Sequence, residues 1–180
     1  MRASTTRTQI IDATLALVAE RGYAATSVDD IAAAAGVAKG SVFYNFGSKG
    51  ELFEQILAEG VAQMTTTLRT AAQGREGRAA VEEMVRALLA QVQAHPDFAK
   101  VVAAEAFRTG RRWQDSIRQV RDDAIGAFAA VVGAAWPERD ARLTASALFG
   151  ATLLAGLEWL VFQPERSLEE VSDAVLATLR

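Results

Sequence analysis

The chain has no cysteine and a single histidine, His95, among 180 residues. No disulfide framework can form and no thiolate metal site can be built. A histidine zinc site or a Ser–His relay has almost nothing to draw on. No other nucleophile or acid–base constellation stands out, so neither enzymatic activity nor a metal or cofactor is expected. Proline is scarce as well, with three residues. Long Val, Ile and Thr alternation, the mark of strands, is missing. Alanine, the best helix former, is abundant instead. These features predict an all-α chain, and 51% apolar residues suffice for a sizeable core. The N-terminus carries Arg2 and Arg7 but no following apolar core with a cleavage site, so a cytoplasmic location is expected. The longest apolar run, residues 145–162, contains Ser146, Thr152 and Glu158. It reads better as a helix buried on two sides than as a membrane span of about 20 apolar residues, and no membrane partner is expected.

Charge of one sign is also lacking. The formal net charge is −3, which excludes a polycation that wraps nucleic acid over its whole surface. A local basic face remains open. Residues 1–50 carry five basic and four acidic side chains, and residues 51–180 carry fourteen and eighteen. The sign of that asymmetry suits an N-terminal part that meets phosphate.

Apolar periodicity and cap residues predict about nine helices and no strand. The first spans about 5–21 and ends at Gly22. The second is capped at Thr26–Ser27, has Asp29 and Asp30 in its first turn and stops at Gly36. The third covers about 38–44, with Val37, Val42 and Phe46 as inward anchors. The fourth runs from Ser48 to about 72. Further helices are expected near 78–94, 97–109, 112–135 and 138–162. Ser167 and Glu170 form a capping box for the last.

Residues 26–49 have the form of a DNA-reading helix-turn-helix. A short helix, a glycine turn and a second short helix follow one another, and the second starts with a small polar tip. Lys39 reaches bases or phosphate, Gly40 lets the backbone approach, and Ser41 offers a donor and an acceptor. Thr26 and Ser27 sit where a helix N-terminus favours phosphate. Tyr44 and Asn45 can donate to the DNA backbone. Lys49 opens the fourth helix, where its own dipole disfavours a cation and a DNA phosphate would compensate. Arg2 and Arg7 are expected on a flexible arm. A compact helical corner explains Val28, Ile31, Val37, Val42 and Phe46 equally well.

The ordered set Ile10-Ile11, Ala13, Gly22-Tyr23, Thr26-Ser27-Val28, Ile31-Ala32, Ala35-Gly36-Val37, Gly40, Tyr44, Phe46, Ser48-Lys49 and Leu52 resembles the tetracycline-repressor (TetR) family of bacterial regulators. The resemblance is dense over about the first 55 residues and architectural beyond them. Phe43, Asn45 and Gly50 depart from the family pattern, and Phe43 lacks a hydroxyl for phosphate. The resemblance implies a three-helix DNA-binding head, residues 1–48, and a helical ligand-binding and dimerisation domain, residues 49–180. It implies a homodimeric repressor that binds double-stranded DNA at a palindromic operator and is released by a small lipophilic effector. A ligand-independent DNA-binding activator or architectural protein is the alternative.

After residue 50, Leu57, Met64, Met84, Leu88, Val92 and Phe98 fall on helical faces that could line an effector cavity. So do Val102, Phe107, Trp113, Ile117, Val120 and Phe128. A plain filled core explains the same residues. Glu105, Arg108 and Arg121 are candidate polar anchors, and His95 a candidate helix C-cap. The penultimate helix is apolar on more than one face, which requires burial on more than one face. A twofold bundle would cover it, with Leu143, Leu148, Leu154, Leu157 and Val161 joined by Val171 and Val175 of the last helix. Gly150 and Gly156 are expected to permit close approach across that interface.

Overall fold

The computed structural model describes residues 5–105 and 114–179, without the side chains of residues 114, 116, 117 and 120. Among the described residues there are nine helices and no strand. The first three are α1 (Thr6–Arg21), α2 (Val28–Ala35) and α3 (Lys39–Phe46). They are followed by α4 (Lys49–Ala72), α5 (Gly77–Ala94) and α6 (Pro96–Glu105). The last three are α7 (Gln114–Ala135), α8 (Ala141–Phe162) and α9 (Leu168–Ala177).

Local chemistry sets most boundaries. Thr5, Ser27, Ser48, Asp140 and Ser167 each accept a backbone N–H from the first turn of the helix they precede. Ser27–Asp30 and Ser167–Glu170 are full capping boxes. Gly36 ends α2 at φ 67°, ψ 31°, a left-handed conformation in which a Cβ would be strained. Two expected limits shift. The third helix does not stop near residue 44 but continues to Phe46, because Phe46 is anchored in the core of the head. The eighth starts at Ala141 rather than 138. Residues 136–139 close a turn from Arg139 N–H to Trp136 O at 3.0 Å, and Asp140 then caps the helix.

Three apolar clusters hold the chain together. Ile10, Ile31, Ala32, Val42 and Phe46 of α1–α3 close on Leu52 and Ile56 of α4, forming the head core. A second cluster joins Val61, Met64 and Leu68 of α4 to α5, α7, α8 and α9 and forms the body core. Between them, Val18 of α1, Phe53 and Leu57 of α4 and Val101 of α6 make a junction. The Phe98 ring packs against all three clusters. Gly60 of α4 makes room for it, since a Cβ there would lie 2.4 Å from the ring. α4 is thus packed into both the head and the body.

By length and composition α8 could cross a membrane. In the fold one of its faces, with Ala145, Leu148, Thr152, Gly156 and Trp159, is buried against the body core.

Candidate nucleic-acid interface and effector cavity

The helix-turn-helix geometry starts from α3. Unlike α1 and α2, it has no side-chain cap: Ala38 precedes it and offers no acceptor. Ala38, Lys39 and Gly40 are all exposed, so the tip carries two small residues and one long cation. Tyr44, one turn further on, is 91% exposed. Ser41 is half-buried. Ser27 is exposed, but its hydroxyl already serves α2, bonded to Asp30 at 2.6 Å. That bond, the Ser27 backbone N–H and nearby Arg21 hold the Asp30 carboxyl below its usual range.

Besides Ser27, four of the residues expected at DNA are engaged within the chain. Thr26 is 1% exposed, and its hydroxyl donates to Gly22 O at 3.0 Å. It braces the turn between α1 and α2, and its side chain has no surface to give to phosphate. Lys49 donates from Nζ to Tyr23 O at 3.0 Å and to Thr26 O at 2.8 Å, with the Tyr23 ring 4.0 Å away. Backbone carbonyls of the preceding turn therefore offset the unfavourable dipole, in place of the DNA phosphate expected there. Asn45 Nδ2 donates to Ser41 O, one turn back, at 2.7 Å. Lys39 Nζ pairs with Asp29 Oδ2 at 2.9 Å across the helix-turn-helix, in an exposed position where exchange for phosphate costs little.

Arg7 is a further correction. It belongs to the first turn of α1 rather than to a flexible arm, and it fastens α1 to α4. Its Nη1 donates to Glu59 Oε2 at 3.0 Å, its Nη2 to the other Glu59 oxygen and to Gln55 Oε1 at 3.2 Å. The bond to Glu59 raises the Arg7 pKa. Arg2 lies outside the described residues.

A partly open cavity of about 230 Å³ lies at the junction of head and body. Met64, Leu88, Val92, Phe98 and Val102 line it, as expected. Leu57, Met84 and Phe128 do not. Leu57 is buried in the junction, Met84 and Phe128 in the body core, so these three serve packing. Phe107 and Trp113 lie outside the described residues, as do the side chains of Ile117 and Val120. Three wall segments were not anticipated: Ile11, Asp12 and Leu15 of α1, Ile56, Glu59 and Gly60 of α4, and Phe149 and Leu153 of α8. Gly60 was the available signal, a glycine inside an otherwise apolar helix stripe. His95 caps α5, its backbone N–H bonded to Gln91 O, and also lines the cavity. Among the described residues no three His, Cys, Asp or Glu side chains come together as metal ligands would.

The surface expected to pair two chains divides in two. Leu143 and Leu154 are each 70% exposed, Val161 and Phe162 are exposed with them, and Gly150 lies open on the same side of α8. Leu157 is half-buried. Leu148, Val171 and Val175 are buried in the chain's own body core. Gly156 likewise serves that core: a Cβ there would stand 3.0 Å from Val92 of α5.

Residues 10–56 match the family model of bacterial regulatory proteins, tetR family. Over 80 residues the chain is 39% identical to the HTH-type transcriptional repressor KstR2 of Rhodococcus jostii, which is 44% of this chain and 39% of that protein. The match thus spans about two fifths of the relative's length. Across the full fold the chain is similar to the fatty acid degradation regulator FadR of Bacillus halodurans. There the TM-score is 0.82 at 22% identity, covering 100% of this chain and 99% of that one. It also resembles FadR of Bacillus subtilis, solved in complex with stearoyl-CoA. That likeness has a TM-score of 0.76 at 21% identity and covers 95% and 96% of the two chains.

Proposed function

The chain belongs to the TetR family of bacterial regulatory proteins, and from that premise we propose that it is a ligand-responsive repressor. As a homodimer it binds a palindromic operator through the tips of two α3 helices, and a small lipophilic molecule in the junction cavity releases it. The observation that carries this reading is the placement of the cavity. Its walls include α1, a helix of the head, and α4, whose first turns complete the head core. An occupant therefore touches the elements that orient α3. A ligand that fits better when these elements shift would favour the released state. An apolar lining favours an apolar occupant, and a cavity at this place supports the ligand-responsive reading over a ligand-independent one.

The DNA surface proposed is narrower than the sequence alone suggested. Tyr44, Gly40, Ser41 and the open N-terminus of α3 make direct contact, and Lys39 exchanges Asp29 for DNA. Ser27 and Asn45 hold the helices that carry these groups. The exposed side of α8, with Leu143, Leu154 and Val161, meets its twofold copy. A DNA-binding regulator of this kind would work in the cytoplasm, where its operator lies.

Selection from a random duplex library with the purified full chain tests the first step. Enrichment of two half-sites about one helical turn apart, or a multiple of that, is expected. Failure to enrich any sequence rejects the DNA-binding reading. Thermal-shift screening with lipophilic compounds, followed by operator release, tests the second.

A further inference from the structure

The cavity wall is mostly apolar; its polar members are Gln63, Gln91 and His95 and two carboxylates, Asp12 of α1 and Glu59 of α4. Among the described residues no lysine or arginine lines it. Glu59 has a second duty: its two oxygens face the guanidinium of Arg7. That guanidinium also lies 5.2 Å from the Phe46 ring, which closes the core of the head from α3. One carboxylate thus belongs both to the cavity wall and to the fastening of α1 onto α3 and α4. The pair is 39% and 54% exposed on its two side chains, so water screens it and a competing cation can replace Arg7 at small cost.

We propose that the cavity takes an amphiphile with an apolar tail and a positively charged end, and that this end docks at Asp12 and Glu59 in place of Arg7. The inference rests on the effector reading above and names the ligand class and the relay. The tail lies against Met64, Leu88, Phe98 and Leu153. An anionic end beside Asp12 and Glu59 would face two like charges against one cation, Arg7, which Glu59 already holds, and that is unfavourable. Once Glu59 turns to the ligand, Arg7 loses its bidentate partner. The first turn of α1 is then held less firmly to α4 and to Phe46. The ligand favours that state because only there is Glu59 available to it, which is the differential affinity that release requires.

The test uses the full chain and three probes with one tail: octylammonium, octanol and octanoate, each below its micelle-forming concentration. Circular dichroism checks that the protein stays folded. By calorimetry octylammonium is expected to bind roughly tenfold more tightly than octanol, and octanoate more weakly than octanol. Asp12 is exposed, so Asp12→Asn and Asp12→Lys keep the fold; the first narrows the gap and the second inverts it. Glu59→Gln narrows it as well. Octanoate binding as tightly as octylammonium overturns the charge assignment and leaves the cavity as an effector site. No binding of any probe to the folded chain instead removes the cavity, and with it the effector reading. Octylammonium that binds yet leaves operator affinity unchanged overturns the relay through Arg7.

Discussion

Lys49 shows how a single residue type can carry two different roles. A cation in the first turn of a helix opposes the helix dipole. Here two carbonyls and an aromatic ring from the turn between α1 and α2 receive it, so Lys49 ties the head's first connection to α4. Lys49→Ala should therefore lower stability by about 1–3 kcal/mol, the range for a charge-assisted bond to a buried partner. Urea denaturation measures this. The slope of operator affinity against salt should stay unchanged, whereas loss of a phosphate contact would reduce it by about one. Tyr44→Phe should do the opposite: stability holds, and operator binding weakens about three- to tenfold for one lost hydrogen bond. Asp30 adds a pH signature. Its pKa is lowered in the fold by the Ser27 hydroxyl first, then by the Ser27 N–H and Arg21, and Glu170 is lowered by Ser167 in the same way. A depressed folded pKa gives stability that is present above the ordinary values of 3.8 and 4.5 and is lost as pH falls through the depressed ones. The urea midpoint of the wild type should drop in that window, and the gap to Ser27→Ala should narrow. At this scale the sequence disclosed residue types but not directions. Lys49 and Thr26 stand in the family pattern. Their inward orientation depends on the turn from Gly22 to Ser27, whose carbonyls lie 23 and 26 positions before Lys49.

Among the elements, α3 is the one on whose ends the proposed function depends. Its N-terminus has no side-chain acceptor; the Ser41 N–H bonds Ala38 O at 2.8 Å, and the N–H groups of Lys39 and Gly40 have no side-chain cap. Ala38→Asp would supply the acceptor and put a carboxylate at the tip. It should raise stability by about 1 kcal/mol, the usual value of an N-cap. It should also weaken operator binding at least tenfold by repelling phosphate. Equal or tighter operator binding, measured by fluorescence anisotropy, would show that the tip does not face DNA. In α9, Ser172 is fully buried and its hydroxyl has no partner among the described residues, so Ser172→Ala should stabilise the chain by about 1 kcal/mol in thermal denaturation. Helix starts with a Ser or Thr cap were legible, as at Thr5, Ser27, Ser48 and Ser167. The start of α8 was not, because Pro137 fits a first helical position while Asp140, three residues on, makes the cap that forms. The end of α3 was not legible either. Its last turn, with Asn45 and Phe46, is kept helical by the burial of Phe46, a tertiary effect that local propensity does not contain.

In the whole molecule the head and the body share α4, and the cavity lies where they meet. Half of its apolar wall was legible from helical spacing after residue 50. Ile11 and Leu15 were missed because one stripe on α1 faces both ways, towards α2 and α3 and towards α4 and α6. The outer side of α8 poses the remaining question of assembly. A body core already covers its inner side, yet Leu143, Leu154, Val161 and Phe162 stay exposed on one helix. Exposed apolar faces of that kind mark association surfaces. Leu143→Arg with Leu154→Arg should leave the fold intact, because substitutions at such exposed positions change stability by about 0.5 kcal/mol or less. A pairing surface would not tolerate two unpaired charges. Sedimentation velocity should show a dimer for the wild type and a monomer for the double variant. Operator affinity should fall on the order of a hundredfold, since each α3 tip then binds its half-site without a tethered partner. A variant that still sediments as a dimer and binds normally would place the contact elsewhere. A variant that is monomeric yet binds with full affinity would show that one head suffices, and the palindrome would then have no structural counterpart in the protein.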